Sequence, residues 1–175
     1  MSVEGEVPPP EVKHYNSRDD VPQDIQKYWA QRYNIFSKYD DGVWLTDDAW
    51  FGVTPEPVAT KIADHVAAAR SLKKCIMIDA FAGVGGNAIA FARSNKWKRV
   101  YAIEKDPAVL QCAKHNAKIY GVEDKITWFE GDCFETIRLY LKDLGPYSVI
   151  FASPPWGGEL TEESHPLRTY ALHWR

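Results

Sequence analysis

Short apolar runs alternate with stretches of helical periodicity from residue 73 onward. Four runs rich in β-branched and aromatic residues are predicted to be strands, at 75–78, 99–103, 126–129 and 147–152. Helices are predicted between them at 87–94, 107–120 and 133–142. Strands that alternate with helices indicate an α/β fold with a doubly wound parallel sheet, whose ligands bind at the carboxyl ends of the strands.

The N-terminal part of the chain has a helical pattern instead. Four apolar residues at near-helical spacing predict a helix that starts at Pro22: Ile25, Trp29, Tyr33 and Phe36. A second helix is predicted from Pro55 to about residue 70, with Thr54 as its N-cap. Its core-facing residues would be Val58, Ile62, Val66 and Ala69. Residues 1–20 contain three consecutive prolines and few large apolar side chains, which predicts a disordered tail.

Composition narrows the class of protein. The 175 residues carry a net charge of −3, so any RNA contact must be local and not a basic surface. Aromatic residues make up 13% of the chain, with seven tryptophans, which suits either a heavy core or base stacking. The three cysteines have no metal-ligand spacing and favour a reducing compartment. Neither a signal peptide nor a membrane-spanning run is recognisable, so secretion and membrane insertion are not expected.

Acidic residues end three successive predicted strands. Asp79 precedes a glycine loop with Gly83 and Gly85, where it would repel a pyrophosphate but accept hydrogen bonds from an ammonium group. Glu104 is placed for the hydroxyls of a ribose, and Asp132 for the amino group of an adenine. Each acid alone fits a solvated loop or a helix cap, and the glycines alone fit a plain connection. Together they indicate an amine, a ribose and an adenine without phosphate, which describes S-adenosylmethionine.

The fourth predicted strand ends in Ser153-Pro154-Pro155-Trp156. The prolines offer no N–H and hold the backbone extended, so the nearby carbonyls lack a ladder partner. A hydroxyl, a free carbonyl and an indole face can together hold a flat ring that carries an amino group. The alternatives are a tryptophan that caps the core and a surface polyproline turn.

Several segments of the chain resemble one family of enzymes. They are Ile-Gln-Lys-Tyr-Trp-Ala-Gln-Arg-Tyr at 25–33, Phe-Ser-Lys-Tyr-Asp-Asp-Gly at 36–42, Trp-Phe-Gly-Val-Thr-Pro-Glu at 50–56, the glycine loop at 79–87, Asp-Pro at 106–107, and Ser-Pro-Pro-Trp-Gly-Gly at 153–158. Over roughly 22–158 the chain resembles the trimethylguanosine synthase family, RNA cap methyltransferases of the Rossmann-like class I superfamily.

The resemblance implies transfer of methyl groups from S-adenosylmethionine to N2 of a 7-methylguanosine cap, giving 2,2,7-trimethylguanosine. The RNA partners implied are small nuclear and small nucleolar RNAs in the nucleus, in the nucleolus or a related body, with ribonucleoprotein proteins as further partners. The implied cofactor-binding residues are Asp79, Phe81, Gly83, Gly85, Glu104, Asp132, Thr54 and Phe36.

The same resemblance implies the substrate side of the site. Ser153 and the Pro154 carbonyl would hold the reacting amine as catalytic groups, and Trp156 would stack on the methylated guanine. Asn116 would lie near the guanine, and Lys27 would contact the cap phosphates. Each has an ordinary alternative: Lys27 as a solvated lysine, Phe36 as a core residue, Asn116 as a helix-end polar residue and Thr54 as a simple N-cap.

The expected domain organisation is a tail at 1–20, a helical extension at 21–72, a methyltransferase core at 73–158 and an unrelated tail at 159–175. The family has further strands, so the core is expected to be truncated after four strands, with the fourth strand exposed at an edge and prone to aggregation. An inactive fragment that binds cofactor or cap is therefore an alternative function, and another nucleobase-amino methyltransferase is a third.

Overall fold

The computed structural model describes residues 7–154. The strands are β1 (Val12–Lys13), β2 (Leu45–Thr46), β3 (Ile76–Asp79), β4 (Arg99–Glu104), β5 (Ile126–Glu130) and β6 (Ser148–Phe151). The α-helices are α1 (Gln26–Trp29), α2 (Arg32–Ile35), α3 (Ala49–Gly52), α4 (Glu56–Ala69), α5 (Gly86–Arg93), α6 (Pro107–Ile119) and α7 (Cys133–Thr136). No helix among these residues is long and apolar enough to cross a bilayer.

The central sheet is parallel and has the strand order β5-β4-β3-β6. Its register aligns Asp79 with Ala102 of β4 and with Phe151 of β6, so the carboxyl ends of the strands meet at one edge. A larger hydrophobic core packs one face against α4, α5 and α6, and a smaller core packs the other face against α7 and the segment after it. The predicted doubly wound α/β fold is therefore confirmed.

Within the described residues β6 lies at the edge of the sheet, as predicted. Ile150 of this strand is 37% exposed. The expected aggregation stays a prediction, and so does the division of the chain into domains. The larger core contains residues from both the proposed extension and the proposed methyltransferase core.

The predicted start of α6 is confirmed in atomic detail. The Asp106 carboxylate accepts hydrogen bonds from the backbone N–H groups of Ala108 and Val109, at 2.8 and 3.1 Å. Gly121 follows the helix with a φ of +64°, a conformation that glycine adopts without steric cost. The N-cap Asp106 and the terminating Gly121 therefore predict the bounds of α6 to within one residue.

The helix predicted from Pro22 is wrong as a single element, because the chain forms two one-turn helices, α1 and α2. The break at Gln31 lets the two ends of the segment turn into the core, where Ile25 and Phe36 are 1% and 3% exposed. Tyr33, which the spacing places on the apolar face, is 49% exposed. Near-helical spacing does not distinguish one long helix from two short ones.

The predicted disordered tail over 1–20 is wrong for its described part. Val12–Lys13 pairs antiparallel with β2, and the Val12 side chain is 5% exposed. The Tyr15 hydroxyl donates a 2.8 Å hydrogen bond to Asp47. These two contacts anchor a segment whose polar composition alone favours disorder.

α4 has its predicted bounds to within a residue and its predicted apolar face in part. Ala59 and Ala63 are both 1% exposed, whereas Val58 is 48% exposed. α4 packs directly against α5. Small side chains on the facing side allow close approach of the two helices, so the most deeply buried residues of α4 are alanines, while the predicted Ile62 and Val66 pack against the same core as partly buried residues.

The predicted helix over 133–142 is also wrong in part. It is α-helical only over α7, π-helical over Ile137–Leu141 and 3-10 helical over Lys142–Tyr147. The wider turn brings Leu141 into the core at 3% exposure, while Tyr140 is 68% exposed.

A polar cluster holds the N-terminal segment to the helices behind the sheet. Glu56 at the start of α4 accepts hydrogen bonds from the Ser37 backbone N–H at 2.8 Å and the Tyr120 hydroxyl at 2.7 Å, and it pairs with Arg93. Burial alone would raise the pKa of Glu56, but these partners outweigh burial and lower the pKa to about 2. The carboxylate therefore links three segments that are distant in sequence.

Candidate functional site

A cavity of about 560 Å³ lies at the carboxyl ends of β3 to β6. Its volume is in the range typical of small-ligand sites. The sheet contributes the residues that follow its strands, and the N-terminal part of the chain closes the opposite side. Strand-end residues in the wall include Ala80, Phe81, Glu104, Gly131, Asp132, Ser153 and Pro154. Residues from the N-terminal part include Thr46, Asp48, Phe51, Val53 and Thr54.

The glycine loop between β3 and α5 bends back over the sheet. Gly83 and Gly85 have φ values of +53° and +95°, which only glycine adopts readily. Gly83 lines the cavity, but Gly85 is not part of the wall formed by residues 7–154. A Cβ on Gly85 would lie 3.3 Å from the backbone of Ala113 in α6. The expected ligand contact is therefore not supported for Gly85, which instead allows the loop to pack on α6.

Glu104 is fixed at the end of β4 by two backbone groups. Its Oε2 accepts a 2.8 Å hydrogen bond from Gly83 N–H, and its Oε1 accepts a 2.9 Å hydrogen bond from Asp106 N–H. Each carboxylate oxygen has a second acceptor site. Because Glu104 also lines the cavity, it can accept hydrogen bonds from a pair of ligand hydroxyls.

Asp132 combines the two roles considered for it. It is the N-cap of α7, with Oδ1 accepting hydrogen bonds from the N–H groups of Phe134 and Glu135 at 2.9 and 3.0 Å. It also lines the cavity. The cap orients the carboxylate, so the residue is held in place to accept from a ligand amine.

Asp79 is a buried charge behind the cavity wall. Its side chain is 0% exposed, and neither carboxylate oxygen has a hydrogen-bond partner of good geometry among residues 7–154. Burial, with a smaller contribution from nearby Glu104, raises the pKa of Asp79 to about 7, although the N–H groups of Phe81 and Ala88 lie near enough to offset part of the increase. Asp79 is not part of the cavity wall formed by residues 7–154, so the contact with a ligand ammonium expected from the sequence stays a prediction.

Asn87 is a cavity residue that the sequence analysis missed. Its Nδ2 donates a 3.0 Å hydrogen bond to Thr54 Oγ1, and its buried Oδ1 has no partner within the described part of the chain. Its position as the first polar residue after the glycines was the available signal. Thr54 lines the cavity as expected, but it is not an N-cap, because α4 begins at Glu56 without a side-chain cap.

Two expected ligand-binding residues are buried elsewhere. Asn116 is 0% exposed: its Oδ1 accepts from Trp44 N–H, and its Nδ2 donates to the carbonyls of Trp44 and Val84, all within 3.0 Å. Phe36 is 3% exposed and packs near the Tyr120 ring, with 6.2 Å between centroids. Neither Asn116 nor Phe36 is part of the cavity wall formed by residues 7–154, so the structure does not support the substrate role of Asn116 or the cofactor role of Phe36, and both stay predictions.

Lys27 lies outside the cavity wall formed by residues 7–154. It is exposed, and its Nζ is 4.8 Å from the centroid of the Tyr28 ring. Tyr28 makes an edge contact with Phe51, which does line the cavity. Lys27 is therefore near the rim, where a role with a phosphate stays a prediction. Trp156 lies outside the described residues.

The described wall of the cavity is acidic. It carries Asp48, Glu104 and Asp132 against one cation, Lys105. Such a wall disfavours a pyrophosphate and favours a ligand with positive charge and hydrogen-bond donors. Among residues 7–154, no group of three His, Cys, Asp or Glu side chains could hold a metal ion.

A parallel sheet with a glycine loop after β3 and carboxylates at the ends of β4 and β5 defines a Rossmann-like class I methyltransferase fold. Residues 74–165 match the family described as RNA cap guanine-N2 methyltransferase. The chain belongs to this family, and the resemblance found in the sequence is confirmed.

The chain is similar to two curated proteins named trimethylguanosine synthase. It is 44% identical over 141 residues to the Schizosaccharomyces pombe protein, covering 79% of this chain and 56% of that protein. It is 37% identical over 133 residues to the Saccharomyces cerevisiae protein, covering 75% and 41%. The chain thus spans about half the length of these relatives.

A crystal structure of an RNA methyltransferase from Salinibacter ruber, in complex with S-adenosyl-L-homocysteine, is also similar. It is 29% identical and covers 57% of this chain and 58% of that chain, with a TM-score of 0.45, which is too low to carry weight.

Proposed function

We propose that this chain catalyses S-adenosylmethionine-dependent methylation of N2 of a 7-methylguanosine RNA cap, giving 2,2,7-trimethylguanosine. One observation carries the proposal. Ser153 and Pro154, after β6, line the same cavity as Glu104 and Asp132, after β4 and β5. The residues proposed to bind the guanine amine and those proposed to bind the cofactor nucleoside therefore line one cavity, in a chain of the cap guanine-N2 methyltransferase family.

The wall fits the proposed cofactor on three grounds. S-adenosylmethionine carries a sulfonium and an ammonium, which suit the acidic wall. Glu104 would accept from the ribose hydroxyls, Asp132 from the adenine amine, and Thr54 and Phe81 would contact the remainder. The unpaired Oδ1 of Asn87 and the buried charge of Asp79 leave acceptor capacity beside the loop. When bound, the cofactor supplies an electrophilic methyl group.

Ser153 and Pro154 would orient the nucleophile. The N2 lone pair of guanine is delocalised into the ring, so the amine reacts only when it is held in a suitable direction. The Ser153 hydroxyl and the Pro154 carbonyl can accept hydrogen bonds from the two N2–H groups and turn the lone pair toward the methyl group, which moves from the sulfonium sulfur to N2. Rate enhancement would come from proximity and alignment, without a covalent enzyme intermediate.

We attribute the preference for a methylated cap to stacking on Trp156, and binding of the cap phosphates to Lys27. N7-methylguanine is positively charged, so stacking on the indole of Trp156 gains a cation–π contribution of about 0.5–2 kcal/mol over guanine. Lys27, near the rim, would contact the cap phosphates. Small nuclear and small nucleolar RNAs are the proposed substrates, in the nucleus and its nucleolus or a related body, with ribonucleoprotein proteins as partners.

A direct assay tests the proposal. The purified 175-residue chain is incubated with methyl-labelled S-adenosylmethionine and either 7-methyl-GTP or GTP, and the expected result is transfer to 7-methyl-GTP alone. Cofactor binding without transfer would instead show a binding fragment. Transfer to GTP, or to an uncapped RNA added in a third reaction, would show another nucleobase-amino methyltransferase.

Matched variants locate the reaction within the cavity. Ser153→Ala is expected to lower turnover, whereas Ser71→Ala, at an exposed position outside the described cavity wall, is expected to leave turnover unchanged. Trp156→Ala is expected to raise KM for 7-methyl-GTP and Trp156→Phe to restore it in part. Full activity of the alanine variant at Trp156 would refute the stacking role.

A further inference from the structure

A second cavity, of about 490 Å³, lies along the side of α6. Most of its wall is formed by aromatic and basic side chains, and the lining residues are Val7, Trp44, Gln111, Lys114, His115, Lys118, Glu123 and Trp128. Among the described residues it shares none of its wall with the cavity at the strand ends. The proposed methylation reaction gives this second cavity no role.

Trp44 is a fixed aromatic platform in the second cavity. Its backbone N–H and carbonyl are both bound by the amide of buried Asn116, at 2.8 and 2.9 Å. Its ring stacks on His115 with 3.7 Å between centroids and only 5° between planes. His115 Nε2 lies 3.0 Å from the Gly42 carbonyl, so this nitrogen carries a proton and fixes the ring. Little conformational freedom therefore remains for Trp44 to lose when a ligand binds.

The remaining groups of the wall suit a nucleotide. Trp128 of β5 is half-buried and supplies a second indole. Gln111 and Lys114 are both exposed and lie one helical turn apart on α6, where neighbouring side chains point the same way. An amide can bind the edge of a base, and an ammonium group can bind a phosphate.

We propose that the second cavity binds a base of single-stranded RNA between or against its two indoles, with Lys114 on the adjacent phosphate. Aromatic stacking with nearby basic groups is the general mode by which proteins hold single strands. Lys114 and Lys118 outnumber the one acid in the wall, Glu123, although the whole chain carries a net charge of −3. Local positive charge with exposed aromatic surface is what an RNA contact on an acidic protein requires. This inference takes from the proposed function only that the substrate is RNA.

The test measures binding of uncapped RNA, which does not depend on the cap site. Fluorescently labelled hexauridylate and hexaadenylate are titrated with the 175-residue chain and followed by anisotropy. Trp128→Ala is expected to weaken binding roughly 5- to 150-fold, the range for loss of one stacked base. The slope of log K against log salt is negative, and Lys114→Ala is expected to reduce its magnitude by about 0.7. Lys61→Ala, at an exposed position of α4, is expected to leave the slope unchanged.

Further arms separate the outcomes. Because Trp128 also packs against the core, Trp128→Phe, which keeps an aromatic face, is expected to recover part of the affinity, whereas Trp128→Leu, which restores packing without such a face, is not. Hexanucleotide binding that is unaffected by Trp128→Ala would overturn the inference, as would equal binding of hexaglutamate, which would show charge without stacking. Methylation of 7-methyl-GTP is measured on the same variants. Trp128-dependent RNA binding would uphold the second site even if this transfer fails.

Discussion

Replacing Asp79 by asparagine removes a buried charge without changing the shape of the side chain. The wild-type carboxylate is 0% exposed, and its oxygens lack good hydrogen bonds among residues 7–154. We expect Asp79→Asn to stabilise the ligand-free protein at alkaline pH and to weaken cofactor binding. A residue that lowers stability in this way is typical of a site adapted to a ligand and not to folding alone.

The magnitude follows from the pKa of Asp79, which burial raises from 3.8 to about 7. Between these two values the folded protein holds a proton that the unfolded chain has lost, so stability falls as pH rises through this window. The full difference corresponds to about 4 kcal/mol. The asparagine amide adds a buried donor, which costs about 1–3 kcal/mol at every pH. The advantage of the variant should therefore grow by about 2–4 kcal/mol between pH 5 and pH 8.

Urea unfolding followed by circular dichroism at pH 5 and pH 8 measures this change. Asp64→Asn, on the exposed side of α4, is the matched control and should show no such growth. Calorimetric titration with S-adenosylmethionine at pH 6.5, in buffers of different ionisation enthalpy, should detect proton release from Asp79 on binding of a cationic ligand. A stability difference between Asp79→Asn and wild type that is the same at both pH values would refute the reasoning.

Three further variants test other parts of the structure. Glu56→Gln should cost about 1–3 kcal/mol at pH 7; because bound partners overcome burial and lower the pKa of Glu56 to about 2, the difference should vanish as pH falls from 4.5 through 2 in urea unfolding. Asn116→Ala should lower the unfolding free energy by about 2–4 kcal/mol and leave KM for 7-methyl-GTP unchanged, whereas a raised KM at unchanged stability would restore a substrate role. Gly85→Ala should cost about 1–3 kcal/mol, because φ is +95° and the new Cβ would lie 3.3 Å from Ala113; an unchanged melting temperature would contradict this.

The strands and their acidic ends were predictable because they depend on local pattern. A buried parallel strand is a short apolar run, and the residue that follows it lies at the ligand edge whatever surrounds it. Glu104 and Asp132 could therefore be placed in the site before any contact was known. Thr54 and Phe81 reach the same cavity through motifs beside these elements.

The site predictions that the structure does not support, and the residue that was missed, depend on distant parts of the chain. Asn116 is polar and lies on a helix, but its partners Trp44 and Val84 are far from it in sequence. Phe36 fits an apolar stripe equally well as a core residue or as a ligand contact, and packing with Tyr120 decides between them. The position of Asn87 after the glycines is visible in the sequence, but its hydrogen bond to Thr54 joins residues 33 positions apart and is not.

The fixed position of Glu104 reduces the side-chain conformational entropy that would be lost when a ligand binds. Two backbone N–H groups, from Gly83 and Asp106, already hold its carboxylate in one rotamer. Ordering a flexible side chain on binding costs about 0.5–1.5 kcal/mol, and here folding meets that cost before any ligand arrives. The bond from Gly83 also ties the end of β4 to the glycine loop, and the bond from Asp106 ties it to the start of α6. One side chain therefore holds the glycine loop and, under the proposed function, is already oriented to accept from the ribose hydroxyls.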